Sequence, residues 1–141
     1  HAGRLAADRY TEVAETIVSQ FPNVSRVAFT LRESLSASYN RWGAMLYESA
    51  GGRAFFAPTE GEEYRPYEIH NIVDRVGGGD SFAAGLIFSL LSEDLRDPAR
   101  AVAFAAASSC LAHSLPGDFN YSTRQEVERL MGGSASGRVV R

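Results

Sequence analysis

Apolar residues Tyr10, Val13, Ala14, Ile17, Val18 and Phe21 recur along one face of a 3.6-residue period, which predicts an amphipathic helix. Asp8 is its predicted N-cap, and Pro22-Asn23 end it. Arg26–Leu31 is a short apolar run of β-forming residues and predicts a buried strand. A polar loop, Arg32–Asn40, leads to a second strand around Trp42–Tyr47. The turn Ser49–Arg53 then joins Ala54–Phe56 in an antiparallel hairpin, and Glu68–Val73 reads as a further strand. Asp74–Gly79 is a glycine-rich loop and Asp80–Leu91 an apolar helix. Asp97-Pro98 opens a helix reaching about Ser114, with Asp as cap and Pro at the first helical position. Thr123-Arg-Gln-Glu126 forms a capping box and opens a last short helix ending near Met131-Gly132. Strands alternating with helices predict an α/β fold, a sheet covered by helices on its faces.

Composition narrows the function. A chain of 141 residues is long enough for one domain with a real core. Its 45% hydrophobic and 22% charged content is that of a globular protein. No apolar run approaches the roughly 20 residues of a membrane helix, and no charged-then-apolar leader stands at the N-terminus. The net charge of −3 and scattered basic residues exclude an electrostatic footprint for nucleic acid. All 14 Lys+Arg positions are arginine. That removes the lysine of a Walker A loop and any Schiff-base chemistry. Cys110, the one cysteine, reads as a small buried thiol of a reducing compartment, so the expected location is cytoplasmic. Residues 1–131 read as one unit running straight into a helix, as if cut from a longer protein, and 132–141 as a polar C-terminal tail.

The chemistry is concentrated in Ile69–Leu86. A strand feeds three consecutive glycines, Gly77, Gly78 and Gly79, which open directly onto a helix. Glycine lets the chain turn sharply and lets a ligand approach the backbone. The first amides of the helix lack intrahelical partners and carry the positive end of its dipole. Together these make an anion hole suited to a phosphoryl group. Asp80 is the odd member, because a carboxylate among phosphate-binding amides repels phosphate. It fits if it takes the proton of a hydroxyl attacking the phosphoryl group. Local physics alone leaves equally open that Asp80 is an ordinary helix cap after a glycine turn.

Other chemistries fit less well. Phe82 occupies the last glycine place of a G-x-G-x-x-G count from Gly77. Gly79-Asp-Ser81-Phe-Ala83 ends in alanine where a nucleophile elbow needs glycine, although His113 lies downstream, so a serine hydrolase using Ser81 stays as a minor alternative. His1, His70 and His113 show no metal-ligand spacing.

Asp74-Arg-Val-Gly-Gly-Gly-Asp80 resembles the Asp-Thr-x-Gly-Ala-Gly-Asp signature of the ribokinase/PfkB carbohydrate-kinase family. Within it the chain is most similar to the 2-dehydro-3-deoxygluconate kinases, through Thr30-Leu-Arg-Glu-Ser34, Asp74–Phe82, His113-Ser-Leu-Pro-Gly-Asp-Phe119 and Gly137-Arg-Val-Val-Arg141. The resemblance implies the C-terminal part of a ribokinase-like layered sheet with flanking helices. It implies an ATP-dependent transfer of the γ-phosphate to a sugar-acid hydroxyl, with Asp80 as catalytic base and the Gly77, Gly78, Gly79 and Asp80 amides as anion hole. It further implies nucleotide contacts at Thr30, Arg32, Glu33 and Ser34 and at His113, Gly117 and Asp118, and an ion and water network at Asp74 and Arg75. The implied cofactors are ATP and Mg²⁺ with no direct protein ligand for the metal. A monovalent cation is an optional addition that Arg75, in place of the usual Thr, leaves open. Arg32 stands where the family has Gly, and Ala106 near where many members place an adenine-contacting Asn. The implied partners are ATP and a small sugar acid, not nucleic acid or membrane, and a homo-oligomer is compatible with this. The family's catalytic unit is longer than this chain, and its N-terminal half supplies most of the sugar pocket. The isolated chain is therefore also readable as a non-catalytic nucleotide-binding or structural fragment.

Overall fold

The computed structural model describes residues 2–133, and for residues 2–7 the backbone only. His1 and residues 134–141, which include the Gly137–Arg141 motif and most of the expected tail, lie outside the described residues. Helix α1 spans Ala2–Gln20. Asp8 therefore lies inside the helix and does not cap it. The strong helix formers of the preceding Ala- and Leu-containing segment carry the helix upstream.

Strand β1, Arg26–Ser34, runs antiparallel to β2, Tyr39–Glu48, in a register from Arg26↔Glu48 to Ser34↔Asn40. The expected loop over 32–40 shrinks to residues 35–38. Its polar residues pair across the strands instead: Glu33 faces Arg41, with Nη1 to Oε2 at 3.2 Å. Strand β3, Arg53–Ala57, completes the expected hairpin, with Gly52 at φ 58° in its turn. A two-stranded ribbon, β4 (Thr59–Glu60) and β5 (Glu63–Tyr64), follows. Strand β6, Tyr67–His70, then returns to the first half of β2, from Tyr39↔His70 to Trp42↔Tyr67. It stops short of Val73 because Asn71 turns into the left-handed region at φ 58°. β2 is thus central, with β1 along one side and β3 and β6 sharing the other.

The strands come in one run and pair antiparallel; they do not alternate with helices. The remaining helices follow: α2 (Gly78–Leu91), α3 (Pro98–Ala112) and α4 (Arg124–Gly132). Asp97 caps α3 by accepting from Ala99 N at 3.2 Å and Arg100 N at 3.3 Å. The Thr123–Glu126 capping box opens α4, with Glu126 Oε2 accepting from Thr123 N at 2.7 Å.

Alternation along β2 divides two cores. Trp42, Ala44 and Leu46 face the α2–α4 layer with Tyr67, Ile69, Val102, Ala105 and Val127. Met45 and Tyr47 face α1 through Leu31 and Ala14. Met45 and Leu46, neighbours in sequence, are both fully buried on opposite sides. Burying each contributes roughly 1.5–3 kcal/mol. A one-residue slip would exchange the two cores, which fixes the register. α2 lies unusually close to α3 at Gly85, where a Cβ would sit 3.1 Å from both Ala105 Cα and Ser108 Cβ. The result is the layered α/β arrangement expected, helices on both faces of one sheet.

Candidate phosphoryl-transfer site

The N-terminus of α2 is an uncapped glycine corner. Gly77, at φ 79° and ψ −1°, is the N-cap residue and contributes no side-chain cap. A side chain there would need a left-handed backbone and would drive its Cβ to 2.6 Å from the Asp118 carbonyl oxygen. The first amide to turn back into the helix is that of Ser81, donating to Gly77 O at 2.8 Å. The Gly78, Gly79 and Asp80 amides precede it and have no acceptor within the helix. They sit at the positive end of the dipole. Among the described residues nothing lies within 4 Å of a Cβ built on Gly79, so they leave that face of the corner open.

Asp80 is the third residue of α2 and is exposed. The ordinary-cap reading does not describe it, because the cap position belongs to Gly77. Among the described residues no hydrogen bond or ion pair holds its carboxylate. It is free to meet a hydroxyl. Ser81, by contrast, is buried and does not present the exposed nucleophile that a hydrolase elbow requires.

A buried polar strut forms the floor. Trp42 Nε1 donates to Ser109 Oγ at 2.6 Å, and Ser109 Oγ donates to Ala106 O at 3.0 Å. The His113 ring meets Trp42 edge-on with centroids 4.6 Å apart, and its Nδ1 lies 2.7 Å from Ser109 O. Burial holds His113 below the usual histidine range; the Ser109 carbonyl opposes this, and the charges of Arg32 and Arg75 add to it. The ring is therefore neutral near pH 7, with Nδ1 as donor and Nε2 without a proton. Its Cε1 would lie 3.1 Å from a Cβ on Gly78, so the imidazole backs the glycine corner from beneath.

Asp74 clips this corner to the segment after α3. Its Oδ1 accepts from Arg75 N at 2.7 Å and Val76 N at 3.1 Å, and its Oδ2 from Gly117 N at 3.0 Å. The Val76, Gly117 and Arg75 amides, in that order, hold its carboxyl below the usual carboxylate range. Val73 N adds a bond to His113 O at 2.9 Å. Arg75 turns toward the β1–β2 turn, its Nη2 donating to Ser36 O at 3.3 Å and Ala37 O at 2.5 Å. Its charge still reaches His113. The guanidinium thus ties a third segment to the corner.

The sheet register sorts the expected nucleotide residues. Thr30, Arg32 and Ser34 lie opposite Ala44, Trp42 and Asn40, on the face shared with His113. Glu33 lies on the other face, paired with Arg41, and is not brought together with them. Gly117 and Asp118 join the corner through Asp74 and Gly77. Ala106 is fully buried in α3 and offers no surface to a base. Asn40, which the sequence reading passed over, is fully buried with neither amide atom hydrogen-bonded among the described residues. An asparagine two residues before Trp42, in the inward phase of a strand, was the signal available. Cys110 is buried, which pushes its thiol up to about 12.

Among the described residues no three His, Cys, Asp or Glu side chains cluster as a metal cage.

The corner thus combines open helix amides with an untethered carboxylate on a layered α/β scaffold. Residues 42–123 match the model of the pfkB family carbohydrate kinases. The chain belongs to that family and has its ribokinase-like fold. It is similar to the solved 2-dehydro-3-deoxygluconokinase of Thermotoga maritima, at 43% identity and TM-score 0.75, over 88% of this chain and 34% of that one. It is also similar to a PfkB family carbohydrate kinase of Listeria grayi, at 28% identity and TM-score 0.73, over 84% of this chain and 34% of that one. The chain thus spans about a third of the length of these solved relatives. No curated protein matches the sequence. No helix among the described residues is long and apolar enough to cross a membrane.

Proposed function

We infer that this chain is the phosphate-handling portion of an ATP-dependent sugar-acid kinase, acting on 2-dehydro-3-deoxy-D-gluconate to give its 6-phosphate in the cytoplasm. The observation that carries the reading is the placement of the exposed Asp80 carboxylate directly after the open Gly78 and Gly79 amides. The 43% identity to a 2-dehydro-3-deoxygluconokinase supports the choice of sugar acid. In the reaction the acceptor hydroxyl gives its proton to Asp80 as its oxygen bonds the γ-phosphorus. The bond from that phosphorus to the β–γ bridging oxygen breaks, and ADP leaves. The amides of the corner hold the charge that builds on the migrating phosphoryl oxygens. Mg²⁺, when bound, supplies further neutralisation of the phosphates. Arg32 and Arg75 add positive potential around the corner.

A second reading is favoured by the length of the match. With about a third of its relatives' length, the chain alone binds nucleotide without turning it over. Titration calorimetry of the chain with ATP–Mg²⁺ and then with the sugar acid tests both. Nucleotide binding without sugar binding is the expected result. Absence of nucleotide binding sinks the phosphate-handling reading, and sugar binding by this chain alone sinks the second.

A further inference from the structure

The segment between β6 and α2 is a hub between two other parts of the chain. On one side Val73 N and Asp74 N donate to His113 O at 2.9 and 3.4 Å, and Asp74 Oδ2 accepts from Gly117 N. On the other, Ile72 N donates to Ser38 O at 3.5 Å. Arg75 Nη2 serves both Ser36 O and Ala37 O, 39 and 38 residues earlier. Within the β1–β2 turn the Leu35 and Ser36 amides donate to Tyr39 O at 3.0 and 3.1 Å. Those bonds set the shape of the turn, while the Ile72 and Arg75 donors fix its place against the corner. The turn also ends the part of β1 that carries Thr30, Arg32 and Ser34. These lie on the face shared with His113, which backs Gly78. Their side chains have no hydrogen-bond or ion-pair partner among the described residues. Free polar side chains at one end and open helix amides at the other make a two-ended site.

We propose that Arg75 is a positioning residue for a nucleoside triphosphate: by holding the β1–β2 turn, its guanidinium fixes the span between the β1 side chains and the Gly78, Gly79 and Asp80 amides. A ligand that bridges two subsites gains affinity when they are held at the matching separation, because its second contact forms within the complex. A ligand that fills one subsite gains nothing from it. Arg75 suits this role by its chemistry. A guanidinium is planar, always charged and donates in fixed directions, and here one nitrogen spans two neighbouring carbonyls. Both bonds are exposed, so they add little to the stability of the fold and act on the geometry of the site. The inference rests on the phosphoryl-transfer reading and adds to it a residue that acts on the nucleotide through the turn.

Titration calorimetry tests it with two probes, ATP–Mg²⁺ and inorganic tripolyphosphate–Mg²⁺, on the native chain, Arg75→Met and Arg75→Lys. Circular dichroism checks that the fold persists. Arg75→Met should lose about tenfold or more in affinity for ATP, but no more than about threefold for tripolyphosphate, which fills the corner alone. An ammonium carries three donors on one nitrogen and can stand in for Nη2, so Arg75→Lys should recover most of the loss. Equal losses for the two probes overturn the proposal, since a direct phosphate contact or a disturbed fold would lower both. Native ATP affinity in Arg75→Met overturns it as well. Either result leaves the phosphoryl-transfer reading standing. A native chain that binds neither probe removes that reading, and the positioning role falls with it.

Discussion

The carboxylate of Asp74 accepts the amide of Gly117 at 3.0 Å across 43 residues of sequence, closing the glycine corner against the segment that follows α3. Three backbone amides hold that carboxyl below its ordinary range. A depressed folded-state value means that the ionised form stabilises the fold above the unfolded value of about 3.9. The contribution is lost as pH falls through the lower folded value. Asp74→Asn should be less stable than the native chain at pH 7, because the amide NH₂ would face the Gly117 N–H. The gap should narrow between pH 5 and pH 3 in urea unfolding. A gap independent of pH would mean that the clip does not operate in solution.

Two glycines of the corner should respond oppositely. Gly77→Ala forces a left-handed alanine against the Asp118 backbone and should cost about 2 kcal/mol or more in stability. Gly79→Ala meets open space at a helical position and should leave stability unchanged or raise it by about 0.5–1 kcal/mol. In the assembled kinase the same methyl group should lower turnover by about tenfold or more by crowding the phosphoryl group. Denaturant midpoints and steady-state rates on the two variants read out the contrast.

Asp80→Asn keeps the shape of the side chain and removes its basicity. In the assembled kinase, turnover should fall by about 10²–10⁴ while ATP affinity stays within a few-fold of the native value. Near-native turnover would refute the role as base, and an equal loss of ATP affinity would assign Asp80 to binding.

Asn40 is the one side chain among the described residues with buried amide atoms and no partner for them. Leaving such a group unsatisfied costs about 1–3 kcal/mol. Asn40→Val, β-branched and suited to a strand, should therefore raise stability by on the order of 1 kcal/mol. A loss of stability in thermal melts would show that the amide is hydrogen-bonded in solution.

Hydrophobic periodicity made most of the helices and the β2–β3 hairpin legible. The Asp97 and Thr123 caps were legible because their signals are local. Strand ends were less so. Arg32–Ser34 read as loop because their polarity is explained only by Arg41 on the neighbouring strand, and Asn71 ended β6 by a backbone angle that composition does not reveal. Within the site, Asp80 and the three glycines were visible as a motif. The strut Trp42–Ser109–His113 was not, since it joins side chains 67 residues apart. The turn of Arg75 toward the β1–β2 carbonyls also had no local signature.

Gly85 sets the height of the α2 glycine corner from within. Because α2 rests on α3 with no side chain between them, the helix cannot be lifted or slid without opening that seam. A bulkier residue there would lift α2 and carry Asp80, five residues away, with it. On the proposed kinase reading, a change of sugar would therefore proceed by altering what approaches the helix and leaving its seat alone.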